Sequence, residues 1–258
     1  MRIVVCIKQC IDAEAITKVD DHGQVIKEGQ SLVIDPYSEF AVERALQAKD
    51  CGEAETIALA IGGQEVMPTI RHALAMGVDS GCLVDDPAID LDDPVEKSIV
   101  LAKALTKLQP DLIMGGYKSG DTSQAQVIPR LATFLKIPYV GIVTHLEIGE
   151  HAVEATHETD DGFEIIQVEL PAAIAAQQGL AEPRYPSVRG IMQSKKKPVE
   201  IYNLEDIGLS PSELDHPKPC VLPCRPKPAR KGGRIMKGEL SVVISDVVAA
   251  LKSDGAIS

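Results

Sequence analysis

No stretch of this 258-residue chain approaches the roughly 18 to 20 consecutive apolar residues that a membrane-spanning helix needs. No leader segment stands out either. An apolar strand starts at Arg2 and is followed by Lys8, so a cytoplasmic chain, or a matrix protein made elsewhere, is expected. Neither G-x-G-x-x-G nor G-x-x-x-x-G-K-[ST] occurs, which removes the standard dinucleotide fingerprint and the P-loop. None of His22, His72, His145, His151, His157 and His216 stands in a nucleophilic motif with Cys or Ser. No His/Cys/Asp group has metal-ligand spacing along the sequence, and Cys220 and Cys224 form a C-x-x-x-C pair without the second pair a zinc site uses. Cys6 sits in an apolar strand and reads as a small hydrophobe. No catalytic residue and no metal ligand is therefore assigned. The net charge of −12 argues against nucleic acid as a partner. The one basic stretch, residues 217–238 with Lys218, Arg225, Lys227, Arg230, Lys231, Arg234 and Lys237, holds no aromatic side chain to stack on bases.

What is present is an alternating texture. Residues 3–7, 56–61, 82–84, 111–116 and 171–178 are apolar runs of the kind that parallel strands buried on both faces show. Residues 38–48, 66–75, 95–108 and 123–135 carry apolar side chains at helical spacing. Strands alternating with helices in this way imply βαβ units and a parallel sheet. Residues 143–170 alternate around Asp160-Asp161-Gly162 and read as an antiparallel hairpin. Prolines at 217, 219, 223, 226 and 228 predict an extended arm, and an amphipathic helix over 238–252 follows it. The expected organisation is an α/β domain over 1–210 and an arm with a C-terminal helix over 211–258. A helix at the end of such an arm needs a partner surface to pack on.

In open α/β sheets ligands bind beyond the carboxyl ends of the strands. Four segments meet that description: after Ile7, around Asp35 to Ser38, after Ile61 at Gly62, and after Gly116. The last leads through a Gly-rich turn, with hydroxyls at Thr122 and Ser123, into a helix whose N-terminal N–H groups attract phosphate. The plain alternative is an ordinary strand-to-helix turn with Asp121 as N-cap. Residues 179–198 form a second unusual segment. Glu182, Pro183 and Arg184 interrupt an apolar run, Tyr185 precedes Pro186, and Pro186 suits the first turn of a helix. Val188, Ile191 and Met192 share one helical face, and Lys195, Lys196 and Lys197 end it where cations are favoured. A solvated surface helix and a docking knob ringed by positive charge are both compatible with this pattern.

Several segments resemble the beta subunit of electron-transfer flavoproteins. Residues 182–197 resemble that family's E-P-R-Y…I-M-x-[AS]-K-K-K recognition loop, and residues 2–8 its first strand. Residues 35–43 resemble N-P-[FY]-x-x-x-A-[VL]-E, residues 71–79 resemble I-R-x-A-L-A-M-G-A-D, and residues 158–171 its acidic hairpin. The likeness runs from about residue 1 to about residue 210. It implies a Rossmann-like, doubly wound, adenine-nucleotide-binding fold. It implies that Glu182, Arg184, Tyr185, Val188, Ile191, Met192 and Lys195 to Lys197 anchor a flavin-dependent dehydrogenase, such as an acyl-CoA dehydrogenase. It implies a heterodimer with an alpha subunit, electrons shuttled through an FAD shared with or bound by that subunit, and a beta site that holds AMP or a second, possibly bifurcating, FAD. Cys6, Asp35, Pro36, Tyr37, Ser38 and Ile61 are implied to line the adenosine, with Gly62 and Gly116 beside them. The phosphates are implied to lie on Asp121, Thr122, Ser123, Gln124, Ala125, Gln126, Val127, Ile128, Pro129, Arg130, Leu131 and Ala132. Asp35 stands where the family usually has Asn, and Ile128 where it often has Gly. AMP and FAD stay open, the long arm leaning towards FAD. The resemblance implies an electron carrier in place of a catalytic centre of its own. The alternative is an adenine-nucleotide-dependent hydrolase or transferase acting at the α-phosphate. Such enzymes carry S-G-G-x-D-S after the first strand, where this chain has Cys6-Ile-Lys-Gln-Cys10.

Overall fold

Alternate side chains of the first strand face two different cores. In β1 (Arg2–Cys6), Ile3 and Val5 point to one and Val4 and Cys6 to the other. A strand buried on both faces cannot alternate with polar residues, which is why the sequence shows an unbroken apolar run. The computed structural model describes residues 1–12, 14–52, 54–218, 222–225 and 232–257. Four short strands follow β1: β2 (Gln9–Ile11), β3 (Lys18–Val19), β4 (Val25–Ile26) and β5 (Leu32–Ile34). They pair antiparallel, β2 with β5 and β3 with β4. The chain then runs through α1 (Pro36–Asp50), β6 (Glu55–Ile61), α2 (Met67–Met76), β7 (Ser80–Val84), α3 (Pro94–Leu108), β8 (Leu112–Gly116) and α4 (Val127–Leu135). Next come β9 (Tyr139–Ile148), β10 (Ala152–Thr159), β11 (Gly162–Glu169), β12 (Ala172–Ala176), α5 (Val188–Ser194), β13 (Val199–Tyr202) and α6 (Leu240–Ser253).

Nine strands form one sheet in the order β11-β10-β9-β12-β8-β1-β6-β7-β13. It is parallel from β9 to β13 and antiparallel among β9, β10 and β11. From β1 the chain steps outward to β6 and β7, then returns to β8 on the other side of β1. That reversal is a topological switch point, and the crevice beyond the strand ends there is the preferred ligand site of such sheets. Helices α1 and α2 cover one face, α3 and α4 the other, giving the α/β fold expected. Ile3, Leu59, Leu112, Ile113 and Ile174 are fully buried, and truncating any one to Ala costs about 2–5 kcal/mol. The crevice therefore rests on a rigid floor.

Two helix starts follow from one dipeptide. Asp35-Pro36 and Asp93-Pro94 each place an aspartate N-cap before a proline in the first turn, and both carboxylates accept N–H groups of that turn. Other expected boundaries move. The helix expected over 123–135 begins only at Val127, because Ser123 (φ 51°) and Ala125 (φ 53°) are left-handed. Asp121 is consequently not an N-cap; Gln126 holds that position, without a side-chain cap. The expected hairpin over 143–170 is a three-stranded meander, since β10 pairs antiparallel with both β9 and β11. Pro186 precedes the N-cap Ser187 of α5, so it lies outside the helix it was expected to open. Cys220, Lys227, Arg230, Lys231, Pro219, Pro226 and Pro228 lie outside the described residues. Among the described residues no helix is long and apolar enough to cross a membrane.

Candidate functional site

The switch point opens as a cleft. Cys6, Ile7 and Lys8 wall it after β1, Asp35 and Ser38 at the start of α1, Ile61 at the end of β6, and Gly116 with the following loop after β8. Residues from all four expected strand ends thus meet there, the third through Ile61 and not through Gly62. Gly116 is required by close approach: an added Cβ would lie 2.6 Å from Tyr37 Cβ and 3.0 Å from the Lys118 carbonyl oxygen. Tyr37 in turn meets Tyr117 edge-on, with ring centroids 5.1 Å apart.

Asp35, only 1% exposed, ties the two sides together. Its Oδ1 accepts from the Tyr37 (3.0 Å) and Ser38 (3.4 Å) N–H groups, and its Oδ2 from the Gly120 N–H at 2.6 Å. Every partner is a donor, which suits an acceptor-only carboxylate. Burial pushes this carboxyl up, and the N–H groups of Gly120, Tyr37 and Ser38 offset only part of the rise. Lys8 Nζ pairs with the Asp121 carboxylate and donates to Ser119 Oγ at 3.2 Å. At Asp121 burial acts upward, but bonds from Lys8 and Ser119 outweigh it and hold the carboxyl below the usual range. Ser123 directs both its N–H and its Oγ to the Ser119 carbonyl. The loop is thus fixed at Asp35 and at Lys8. Its two left-handed non-glycine residues cost of order 1–3 kcal/mol each.

The cleft is arranged for an anion. Helix α4 begins without a capping side chain, so its first N–H groups keep their partial positive charge. Val127 and Ile128, its first two residues, line the cleft, as do Lys8, Lys97 and Lys118. The Lys97 ammonium is pushed down by burial first and by Lys8 second, so a negative group in the cleft stabilises it. Cys6 also lines the cleft, but burial, then neighbouring Cys82, pushes its thiol up to about 12, leaving it neutral and unreactive.

Not every expected residue faces the cleft. Leu131 and Ala132 are buried in the core beneath α4, and Arg130 folds back on Gln126 Oε1 at 2.9 Å. Gly62 gives its N–H to the Val84 carbonyl at 3.0 Å. Pro36 and Pro129 shape first turns of α1 and α4. Conversely, Lys8, Lys97, Tyr117 and Lys118 were not anticipated. Two signals were available: Lys8 directly follows a buried strand, and Lys97 stands four residues before Leu101 on an otherwise apolar helix face.

The second region is residues 182–197. Tyr185 (96% exposed), Val188 (79%), Met192 (68%) and Ile191 (50%) stand out into solvent. Their backbone is firmly rooted. Arg184 pairs with both oxygens of the buried Glu43 at 2.8 Å and with Asp50 at 2.8 Å. Arg71 donates to the carbonyls of Ser194 (2.6 Å) and Lys197 (2.8 Å), closing the end of α5. Gly190 lets α5 lie against α2, where an added Cβ would sit 2.4 Å from the Ala75 carbonyl oxygen. Lys197 is not a free charge: its Nζ donates to the carbonyls of Leu74 (2.9 Å) and Val78 (2.5 Å). Lys195, Lys196 and Glu182 are exposed. Helix α6 differs throughout, with no buried residue and with Leu240, Val242 and Ile244 more than half exposed.

A sequence model of the electron transfer flavoprotein domain matches residues 23–207. The electron transfer flavoprotein subunit beta of Bacillus subtilis (strain 168) is 36% identical over 259 residues, covering 100% of both chains. This chain belongs to the beta-subunit family of electron transfer flavoproteins. The electron transfer flavoprotein subunit beta of Syntrophomonas wolfei is 40% identical over 200 residues, covering 77% of this chain and 78% of the relative. The caffeyl-CoA reductase-Etf complex subunit CarD of Acetobacterium woodii is 34% identical over 257 residues, covering 98% of each. In the folded chain, the segments that resembled this family in sequence become physical partners. Glu43 of one ion-pairs with Arg184 of another, and Arg71 of a third binds the end of α5.

Proposed function

We propose that this electron transfer flavoprotein subunit holds an adenosine phosphate in the switch-point cleft, pairs with an alpha subunit through α6 and the arm, and docks a dehydrogenase or reductase through Tyr185, Val188, Ile191 and Met192. Electrons pass through an FAD carried with the alpha subunit, so the chain needs no nucleophile of its own; the flavin supplies the chemistry and the protein positions it. One observation carries the reading. Uncapped N–H groups of α4, a strained but tethered loop and three lysines converge on one cleft at the topological switch of the sheet. The shared ligand chemistry is an adenosine bearing phosphates, supplied by AMP or by the ADP half of a second FAD. Acid release from the purified heterodimer tests it. One flavin with one AMP, or two flavins, supports the cleft as an adenosine-phosphate site and separates the two ligands. One flavin with no adenine nucleotide beyond it removes the nucleotide claim.

A further inference from the structure

Among the described residues, two buried side-chain polar atoms have no hydrogen-bond partner, and they face each other: Asp93 Oδ2 and His216 Nε2, 3.3 Å apart. Along the sequence these residues are far apart. The fold brings His216, at the root of the arm, onto the first turn of α3, where Asp93 and Glu96 are each 3% exposed. The ligand atoms of Asp93, Glu96 and His216 all lie within 4.8 Å of one another.

We propose that Asp93, Glu96 and His216 form a binding site for a divalent transition-metal ion, zinc being the natural probe. Three details support a metal over a plain ion pair. The His216 Nδ1 lies 3.1 Å from the Pro217 carbonyl. That carbonyl can only accept, so Nδ1 donates to it and Nε2 is the ring atom left facing the carboxylate oxygen. A ring nitrogen and a carboxylate oxygen that touch without a hydrogen bond between them are placed to share a cation, and imidazole with carboxylates suits zinc. Next, 3.3 Å exceeds the roughly 2.7–2.9 Å of a charge-assisted hydrogen bond. It matches the roughly 3.4 Å edge of a tetrahedron with metal–ligand bonds of about 2.0–2.1 Å. Finally, the outer oxygens are already held as second-shell partners hold metal ligands. Asp93 Oδ1 accepts from the Val95 N–H at 2.7 Å, and Glu96 Oε2 from the Asp90 N–H at 2.7 Å.

Lys218 is the internal competitor. Its Nζ lies 2.6 Å from Glu96 Oε1 and 3.1 Å from Asp90 Oδ2. A metal takes Glu96 from it and leaves it Asp90. Binding fastens the root of the arm to α3 one turn from Lys97 in the cleft. It thereby sets where the arm departs towards Gly23, whose carbonyl accepts from the Cys224 N–H at 2.9 Å.

The test is calorimetric titration of the chelator-treated full chain with zinc chloride, beside zinc-dependent melting. The expected result is about one zinc per chain and a raised melting temperature. His216→Ala weakens binding by at least about 100-fold, more than loss of a second-shell group does. Asp93→Asn, which keeps a capping oxygen, weakens it by about 10-fold or more. Lys218→Met tightens it, which keeps the proposal testable should His216→Ala fold poorly. Equal titrations of wild type and His216→Ala overturn the site, as does looser binding in Lys218→Met. Zinc binding abolished by alkylating Cys51 and Cys224, yet intact in His216→Ala, overturns it too, as does a melting temperature that responds to pH but not to zinc.

Discussion

Val188, Ile191 and Met192 on α5 and Leu240, Val242 and Ile244 on α6 are comparably bare, all between 50% and 79% exposed. Beneath those side chains the two helices have nothing in common. The backbone of α5 is fixed by Arg184 on Glu43, by Arg71 on its last carbonyls and by Lys197 on the end of α2. Helix α6 buries none of its residues. An apolar knob on a fixed base loses little entropy on contact, which suits a partner that comes and goes. An apolar helix with nothing beneath it gains its stability from a surface supplied by another chain. Under the proposed function, exposed apolar helices would serve a transient contact in one place and a standing one in the other.

Deleting residues 239–258 gives the largest effect in this account: the chain no longer co-purifies with its alpha subunit, read by size-exclusion chromatography. A heterodimer that survives the deletion shows that α6 is not the standing contact. Arg184→Ala comes next. It leaves the buried Glu43 carboxylate with the backbone N–H of residue 184 but no charged partner, and lowers unfolding stability by about 3 kcal/mol; an unchanged urea midpoint shows that the root is not rigid. Acid probes the same base at Asp79, which binds Lys49 and Thr56 beside the Lys197 contact. There burial acts upward, but bonds from Lys49 and Thr56 outweigh it and hold the carboxyl below the usual range. The unfolded chain therefore binds this proton at higher pH than the folded one. The stabilisation is complete above the ordinary aspartate value of about 3.9 and is lost as pH falls through the lower folded value. Asp79→Asn should melt earlier than wild type at neutral pH, and the gap should close in acid; a gap constant with pH rejects the ionic origin. The smallest effect belongs to Lys195→Glu with Lys196→Glu. It slows association with the dehydrogenase severalfold at low salt and flattens the salt dependence. Rates indifferent to charge and salt make these lysines simply solvated.

The central sheet was legible because its strands are buried on both faces. Runs such as residues 3–7 and 56–61 have no polar interruptions, and Asp-Pro marks two helix starts. The cleft was legible as a place, since strand ends follow from strands. Its charges were not. Lys97 enters from a helix whose turn-by-turn orientation only the packed core fixes, and Lys8 gains its role from Asp121, more than a hundred residues away. Left-handed Ser123 and Ala125 delay α4 to Val127, and the sequence hid this because no glycine marks them. The shared apolar face of Val188, Ile191 and Met192 was readable from side-chain spacing alone, whereas the tethers of Arg184 and Lys197 were not, because both look like free charge until Glu43 and the end of α2 come alongside. Residues 9–34 gave no reading because their strands are two or three residues long.

The most direct measurement is stopped-flow reduction of the heterodimer flavin by its dehydrogenase, comparing wild type with Val188→Ala/Ile191→Ala. Removing a buried anchor at an interface centre costs about 2 kcal/mol, so the account predicts electron exchange slowed about 30-fold at subsaturating dehydrogenase. Adenine-nucleotide content and melting temperature should stay unchanged, since neither side chain is buried in the free chain. Wild-type rates in the double variant would contradict the claim that this rooted, exposed helix is where the electron partner docks.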